Sequence, residues 1–314
     1  MIKAESITIK YGEFVAVDQL SFHVEQGEIC GFLGPNGAGK TSTIRALTGF
    51  LTPDEGSVLI NGFDMKSDPI NAKGSIGYMP ESSPLYTDLR VCEILKFVAG
   101  IKGVKKSEIE YHIDKVLELT NISDKKEALI HTLSKGYKQR VAFSLALIND
   151  PEILILDEPT IGLDPLQISD VRTLIKDLAT NHTVIFSSHI LSEVQAICSK
   201  IVIIGDGKAL AVEKSDELVK KFGVNKEIRI KIDAPFEEAK SKLEMIEQIG
   251  SVSLESQSPS EIAISVTLTD DDKSAARKKI SRCVVDNNWD LIEMRTDPVS
   301  LEDVYLSIVT SEQS

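Results

Sequence analysis

Residues 133–164 read LSKGYKQRVAFSLALINDPEILILDEPTIGLD, and this block decides how the rest of the chain is understood. Leu133-Ser134-Lys135-Gly136 is a polar turn that opens a helix, expected to begin near Tyr137. After Pro151-Glu152 comes Ile153-Leu154-Ile155-Leu156, an unbroken apolar run of strand length. A strand that does not alternate is buried on both faces, as in a parallel sheet covered by helices. The run ends in Asp157-Glu158. Two adjacent carboxylates after a strand also occur in solvated turns, so the chemical reading is decided upstream.

There, Ile29-Cys30-Gly31-Phe32-Leu33 is a second buried-strand run, feeding directly into Gly34-Pro35-Asn36-Gly37-Ala38-Gly39-Lys40-Thr41-Ser42. This matches the phosphate-loop pattern G-x-x-x-x-G-K-[ST]. Its glycines let the backbone turn tightly and aim N–H groups at phosphate oxygens, and the helix N-terminus that follows adds partial positive charge. Lys40 is expected to bridge the β- and γ-phosphates, and Thr41 to place its hydroxyl on Mg²⁺. The strand–loop–helix context separates this from an ordinary glycine turn. With the loop in place, Asp157 is expected to hold Mg²⁺ through its waters. Glu158 would orient and deprotonate an attacking water, a contribution of about 10²–10⁴ in rate.

Outward from these motifs, Ile2–Ile9 alternates in apolar character, and Val15–Val24 and Ser57–Ile60 hold further strand candidates. A helix is expected after the phosphate loop, through Ile44 and Leu47 to about Gly49. Residues from about Ser82 to Thr132 read as mostly helical. Within them Ser107-Glu108-Ile109-Glu110 has the capping-box pattern, and Ile109, Ile113, Val116 and Leu117 recur on one helical face. Val184–Phe186 and Ile201–Ile204 are further parallel-strand runs. A short helix over Ser215–Phe222 is expected to stop at Gly223, where the character changes. From there the pattern predicts strand Glu227–Ile232, helix Phe236–Ile249, strands Ser251–Glu255 and Glu261–Leu268, helix Lys273–Val285, strand Trp289–Met294 and a helix from Ser300. This order suggests a small two-layer α/β domain over 223–314, resembling a ferredoxin-like split βαβ.

At 314 residues the chain has room for a large core. No run reaches the roughly 18 apolar residues of a membrane span, and the start MIKAESITIKYG does not read as a signal peptide. A formal charge of −13 argues against a protein that grips nucleic acid by neutralising phosphates. Cys30, Cys92, Cys198 and Cys283 have no metal-ligand spacing and read as reduced thiols. Arg277, Lys278 and Arg282 form a basic helix face, for which solvation is the simpler reading and contact with anionic lipid or RNA the other.

The ordered set of motifs, over roughly Met1 to Phe222, resembles the nucleotide-binding subunit of an ATP-binding cassette (ABC) transporter. Tyr11 in IKYG is similar to the family's adenine-stacking aromatic, though a half-buried strand tyrosine would look the same. Gly77-Tyr78-Met79-Pro80-Glu81 falls at the Q-loop, Leu133-Ser134-Lys135-Gly136-Tyr137 at the LSGGQ signature and Pro159–Asp164 at the D-loop. His189, after Val184–Ser188, falls at the switch histidine. The resemblance implies an α/β P-loop NTPase core, with a parallel sheet, an antiparallel β subdomain and a helical insertion at about residues 82–145. It implies ATP and Mg²⁺ as ligands: Glu158, His189 and Lys40 in catalysis, and Thr41, Glu81 and Asp157 around the metal. Tyr11, residues Gly34 to Ser42, Ser134 and Gly136 would bind nucleotide. Ser134 and Gly136 would face the ATP held by a second cassette, so the chain is expected to pair with another copy or a paralogue.

Three positions, in two motifs, depart from the family pattern. Glu81 stands for the usual glutamine, and Lys135 and Tyr137 replace the first glycine and the glutamine of LSGGQ. With the C-terminal appendage, these resemble the prokaryotic export-type ATPases of drug-resistance and gliding-motility exporters. The expected function is therefore ATP hydrolysis that powers a separate membrane permease, from the cytoplasmic face of the membrane and without nucleic acid. Ser82–Leu89 is a candidate permease contact, or ordinary loop packing. The alternative is a soluble ABC ATPase that remodels a ribosome or a nucleic-acid repair complex.

Overall fold

The computed structural model describes residues 1–222, 227–258, 261–269, 273–296 and 301–311. Two long strands, β1 (Ile2–Tyr11) and β2 (Phe14–Val24), are joined by the turn Gly12-Glu13, so that Tyr11 lies directly opposite Phe14. Then come β3 (Ile29–Leu33), α1 (Lys40–Leu47), β4 (Glu55–Ile60), the short β5 (Phe63–Asp64), α2 (Pro69–Gly74) and β6 (Ile76–Met79). A helical stretch of α3 (Val91–Ile101), α4 (Ile109–Leu119) and α5 (Lys135–Leu147) leads to β7 (Ile153–Leu156). The cassette is completed by α6 (Pro165–Leu178), β8 (Thr183–Ser188), α7 (Leu191–Ile197), β9 (Lys200–Gly205), β10 (Lys208–Lys214) and α8 (Ser215–Phe222).

Two sheets share one core in this part of the chain. The larger has the order β10-β9-β3-β8-β7-β6; β9, β3, β8, β7 and β6 run parallel, and β10 closes one edge as an antiparallel hairpin on β9. All four residues of β7 and all six of β8 and β9 are buried, as their continuous apolar runs require. The smaller sheet, β2-β1-β4-β5, is antiparallel. Ile2, Ile7, Ile9 and Phe22 from it pack with Phe32, Ile155, Ile185 and Val202 from the parallel sheet. The parallel register sets the carboxyl ends of β3, β6, β7 and β8 side by side: Leu33 is level with Ser188, and Leu156 with Met79 and Phe186.

The chain divides into two compact units, one of Met1–Leu218 with Ile308–Ser314, the other of Val219–Ser307. The second contains β11 (Glu227–Asp233), α9 (Phe236–Leu243), β12 (Ile249–Gln257), β13 (Ile262–Leu268), α10 (Lys273–Asp286) and β14 (Asp290–Arg295). Its strands are antiparallel throughout, in the order β12-β13-β11-β14. Ile228, Ile230, Ile264, Val266, Leu243 and Ile280 form its separate core. Arg277, Lys278 and Arg282 are exposed on α10. The final described helix is α11 (Leu301–Ser311). No helix among the described residues is long and apolar enough to cross a membrane.

Several expectations are corrected. The capping box at residues 107–110 does not form. Backbone turns precede α4, Glu108 as its N-cap has helical dihedrals (φ −106°, ψ −11°) rather than extended ones, and no side chain caps the helix. A reciprocal bond of that kind occurs instead at α3, where the Arg90 backbone N–H donates to Glu93 Oε2 at 2.7 Å. The segment before Val91 is not helical but turns and irregular backbone. Helix α5 starts at Lys135, two residues before Tyr137, because Ser134 itself is the N-cap. Helix α9 stops at Leu243 rather than reaching Ile249, which is drawn into β12 opposite Leu268. The helix stop at Gly223 and the helix start at Ser300 fall outside the described residues.

Candidate active site

Four strand ends and one hairpin surround a cleft of about 580 Å³. It is lined by Tyr11, Phe14 and Ala16 from the β1–β2 hairpin, and by Asn36, Gly37, Gly39, Lys40, Thr41 and Ser42 from the loop and helix after β3. Glu81 enters from the end of β6, Glu158 and Ile161 from the end of β7, and His189 from the end of β8. Side chains distant in sequence meet because the parallel ladder brings their strand ends to one edge, where open α/β sheets present ligands.

The phosphate loop turns where its glycines allow it. Gly37 (φ +83°) and Gly39 (φ +104°) have left-handed backbones, and Gly39 is the N-cap of α1. Gly34 is buried against the Ile204 carbonyl, where a methyl would collide. Pro35, Asn36 and Gly37 are exposed, and Ala38 is buried in the core beneath the loop.

Lys40 is 6% exposed and reaches back along the loop. Its Nζ donates to the carbonyls of Gly34 (2.7 Å) and Pro35 (3.2 Å) and lies 3.8 Å from Glu158 Oε1. Burial pushes its pKa below the ordinary lysine value, although Glu158, Asp157 and Glu81 all act in the opposite sense. The end of β7 is over-determined. Asp157 is 1% exposed and accepts from Ser187 Oγ at 2.6 Å, and the same oxygen accepts the Glu158 N–H at 2.9 Å. Glu158 is held with φ +48°, in the left-handed region that bulky residues avoid. Its Oε2 lies 3.0 Å from His189 Nδ1, so that the two form a pair across the cleft. The phenol of Tyr78, close to the same carboxylates, is pushed up to about 12, by burial first and then by Asp157.

Of the expected site residues, Tyr11, Lys40, Thr41, Ser42, Glu81, Glu158 and His189 come together in this cleft, and Tyr11 Oη lies 3.4 Å from Ser42 Oγ. Asp157 sits just beneath it, at the root of Glu158. Ser134 and Gly136 do not line it. Ser134 caps α5, accepting from the Tyr137 N–H at 3.4 Å, and Gly136 packs on Gln167 of α6. Gln139 of α5 donates to the Pro159 carbonyl at 2.5 Å, and Arg140 meets Asp170 at 2.9 Å, so the signature helix is pinned to the segment after Glu158.

Among the described residues no three His, Cys, Asp or Glu side chains converge as a metal cage. The set present, a Thr41 hydroxyl with the carboxylates Asp157 and Glu81, suits Mg²⁺, which keeps several waters and shares phosphate oxygens. Sequence reading missed Phe14, Ser187, Ser188, Thr160 and Glu193. Only Phe14 carried a local signal: in YGEF a two-residue turn sets it across from Tyr11 on the same sheet face.

A family model described as "ABC transporter" matches residues 17–161. The bacitracin transport ATP-binding protein of Bacillus licheniformis is 41% identical, over 70% of this chain and 72% of its own length. The Nod factor export ATP-binding protein I of Ralstonia nicotianae is 34% identical, over 70% of this chain and 68% of its own. A bacterial ABC transporter cassette, solved as a dimer, superposes with a TM-score of 0.62 at 25% identity, covering 68% of this chain and 99% of that one.

Proposed function

The chain belongs to the ATP-binding proteins of ABC transporters, and from that premise we propose how its residues hydrolyse ATP and what they drive. It is an ATPase subunit of a transporter. The observation that carries the site assignment is the meeting of the phosphate loop, Glu158, His189 and Tyr11 in one cleft. In this reading the adenine lies on Tyr11, and the triphosphate follows the loop N–H groups with Lys40 at its β- and γ-phosphates. Thr41, Asp157 and Glu81 would hold Mg²⁺, which when bound would supply neutralisation of phosphate charge. Glu158 takes a proton from the water that attacks the γ-phosphorus, and His189 bonds the γ-phosphate while orienting Glu158.

The remaining nucleotide contacts come from a second subunit. Ser134 and Gly136, at the N-terminus of α5 and away from the chain's own cleft, are suited to the γ-phosphate of a partner's ATP. The dimeric cassette in the comparison supports this. Residues 1–222 are taken as the ATPase domain and 223–314 as an accessory α/β domain of ferredoxin-like order; the separate cores support two domains, while the compact units divide at Leu218–Val219 and count Ile308–Ser314 with the first.

The partner is an integral membrane permease, and the chain works peripherally on the inner face of the membrane. Its contact is an apolar groove of about 440 Å³ beside Ser82–Leu89, lined by Phe50, Tyr78, Pro84, Leu85, Tyr86, Ile94 and Val98. Export as the direction is supported by the Nod factor export relative. A soluble ATPase remodelling ribosomes or repair complexes is not favoured, since the relatives carry transport and export names.

Replacing the base tests the centre of this reading. Glu158→Gln is expected to lower phosphate release by about 10²–10⁴ and to leave a stable ATP-bound dimer by light scattering. Unchanged turnover would remove Glu158 from the base role.

A further inference from the structure

Glu193, on α7, is 1% exposed and does not line the cleft, yet both of its partners adjoin residues that do. Its Oε2 accepts from Thr160 Oγ1 at 2.8 Å and from Ser188 Oγ at 2.7 Å. Thr160 stands two residues after Glu158, and Ser188 immediately precedes His189. On the cleft side, Glu158 and His189 face each other at 3.0 Å. The two strand-end segments are thus bridged twice, by the Glu158–His189 pair in front and by Glu193 behind, which closes a ring around the ends of β7 and β8.

The other oxygen, Oε1, is buried and has no hydrogen-bond partner among the described residues. A carboxyl in such a place is costly, since a buried acceptor left without a donor loses its hydration for nothing. The neighbouring Val194 and Ile197 fill the same region as plain apolar packing. Glu193 therefore holds its place through what its one bonded oxygen does. Because both hydroxyls converge on that single atom, a shift of the Thr160 segment is transmitted to Ser188. Thr160 and Ser188 are themselves buried, so water does not compete for these bonds.

We infer that Glu193 is a positioning residue for the hydrolysis step, fixing the separation and orientation of Glu158 and His189 from behind the cleft. Its reach to Thr160 also helps to keep Glu158 at φ +48°, a backbone that persists only where its surroundings over-determine it. This rests on the reading of Glu158 as base and His189 as its partner at the γ-phosphate. Glu193 touches no phosphate-loop residue through these bonds, so it acts on the chemical step and not on nucleotide capture.

Steady-state ATPase, mant-ATP binding and thermal melting of the full chain test the inference. Glu193→Ala is expected to lower kcat by about 10²-fold, the scale of an ångström-sized misplacement of a catalytic group. KM and mant-ATP affinity should stay within about twofold, since binding is not involved. Glu193→Gln, which keeps an acceptor and the shape, should recover most of the loss. Thr160→Val, isosteric and without the hydroxyl, should lower kcat alone and add little to Glu193→Ala, because both act through one atom. If Glu193→Ala melts too low to assay, Thr160→Val and Ser188→Ala carry the test. Wild-type kcat in these variants, or losses of kcat and nucleotide affinity in proportion, would overturn the positioning role. Glu158→Gln separates the two levels: if it still turns over, the base reading falls and this inference with it. If Glu158→Gln is inactive while the tether variants are wild type, only the tether falls.

Discussion

At the scale of single residues, the cleft is an arrangement of opposed charges around one lysine. Lys40 faces Glu158 directly and feels Asp157 and Glu81, so the site already contains three carboxyl groups before any phosphate enters it. Glu81 is the exposed one of the three. Glu81→Gln is expected to retain hydrolysis while raising the Mg²⁺ concentration needed for half-maximal rate, since a carboxyl group proposed to lie near the metal is exchanged for an amide. Titrating Mg²⁺ at saturating ATP checks this; superimposed curves would exclude Glu81 from the metal's surroundings. The residues legible in sequence were those whose meaning is carried by local order: a strand, then a glycine loop, then a lysine. Ser187, Ser188, Thr160 and Glu193 were not legible, because each works through a contact some 30 residues away or through one turn of a buried helix. Serines at the end of an apolar strand look alike until the fold places Ser187 against Asp157.

At the scale of elements, the signature helix α5 is held between the sheet and α6. It rests on β6 at Gly77, where an added methyl would strike the Ala146 carbonyl and lie 2.8 Å from Pro151 Cγ. Neither neighbour is a flexible chain end. Gly77→Ala is therefore expected to destabilise the cassette by about 1–3 kcal/mol, read as a lower urea midpoint, with α5 displaced from its seat. An unchanged midpoint would mean that α5 can slide on β6 at no cost. The strands buried on both faces were readable as apolar runs, and β7 falls at the residues expected of it. Helix boundaries were harder. The capping-box letters at Ser107 lost to a backbone already turning, and the apolar spacing that continued past Leu243 belonged to the next strand. Helices α6 and α7 were not legible as helices: α7 has only seven residues, too short for a helical period to stand out.

At the scale of the whole molecule, the chain's own cleft lacks Ser134 and Gly136, which stand at the head of α5 instead. Full activity should then need two subunits. Ser134→Arg is expected to block hydrolysis while leaving mant-ATP binding to isolated subunits within about twofold, because a bulky cation replaces a small cap on the surface proposed to face the partner's ATP. Undiminished turnover in that variant, or full-rate turnover by subunits too dilute to pair, would contradict a shared site. The change of sequence pattern near Gly223 has a physical counterpart in two separate cores, since each must bury its own apolar set, while the compact units themselves divide at Leu218–Val219. Glu158 occupies a left-handed backbone that disfavours its side chain by roughly 1–2 kcal/mol, and a glycine there would be free of that strain. The fold is thus in tension with its own chemistry at this point. If Glu158 is the base, glycine at this position would relieve the backbone at the expense of turnover, a local trade of activity against stability.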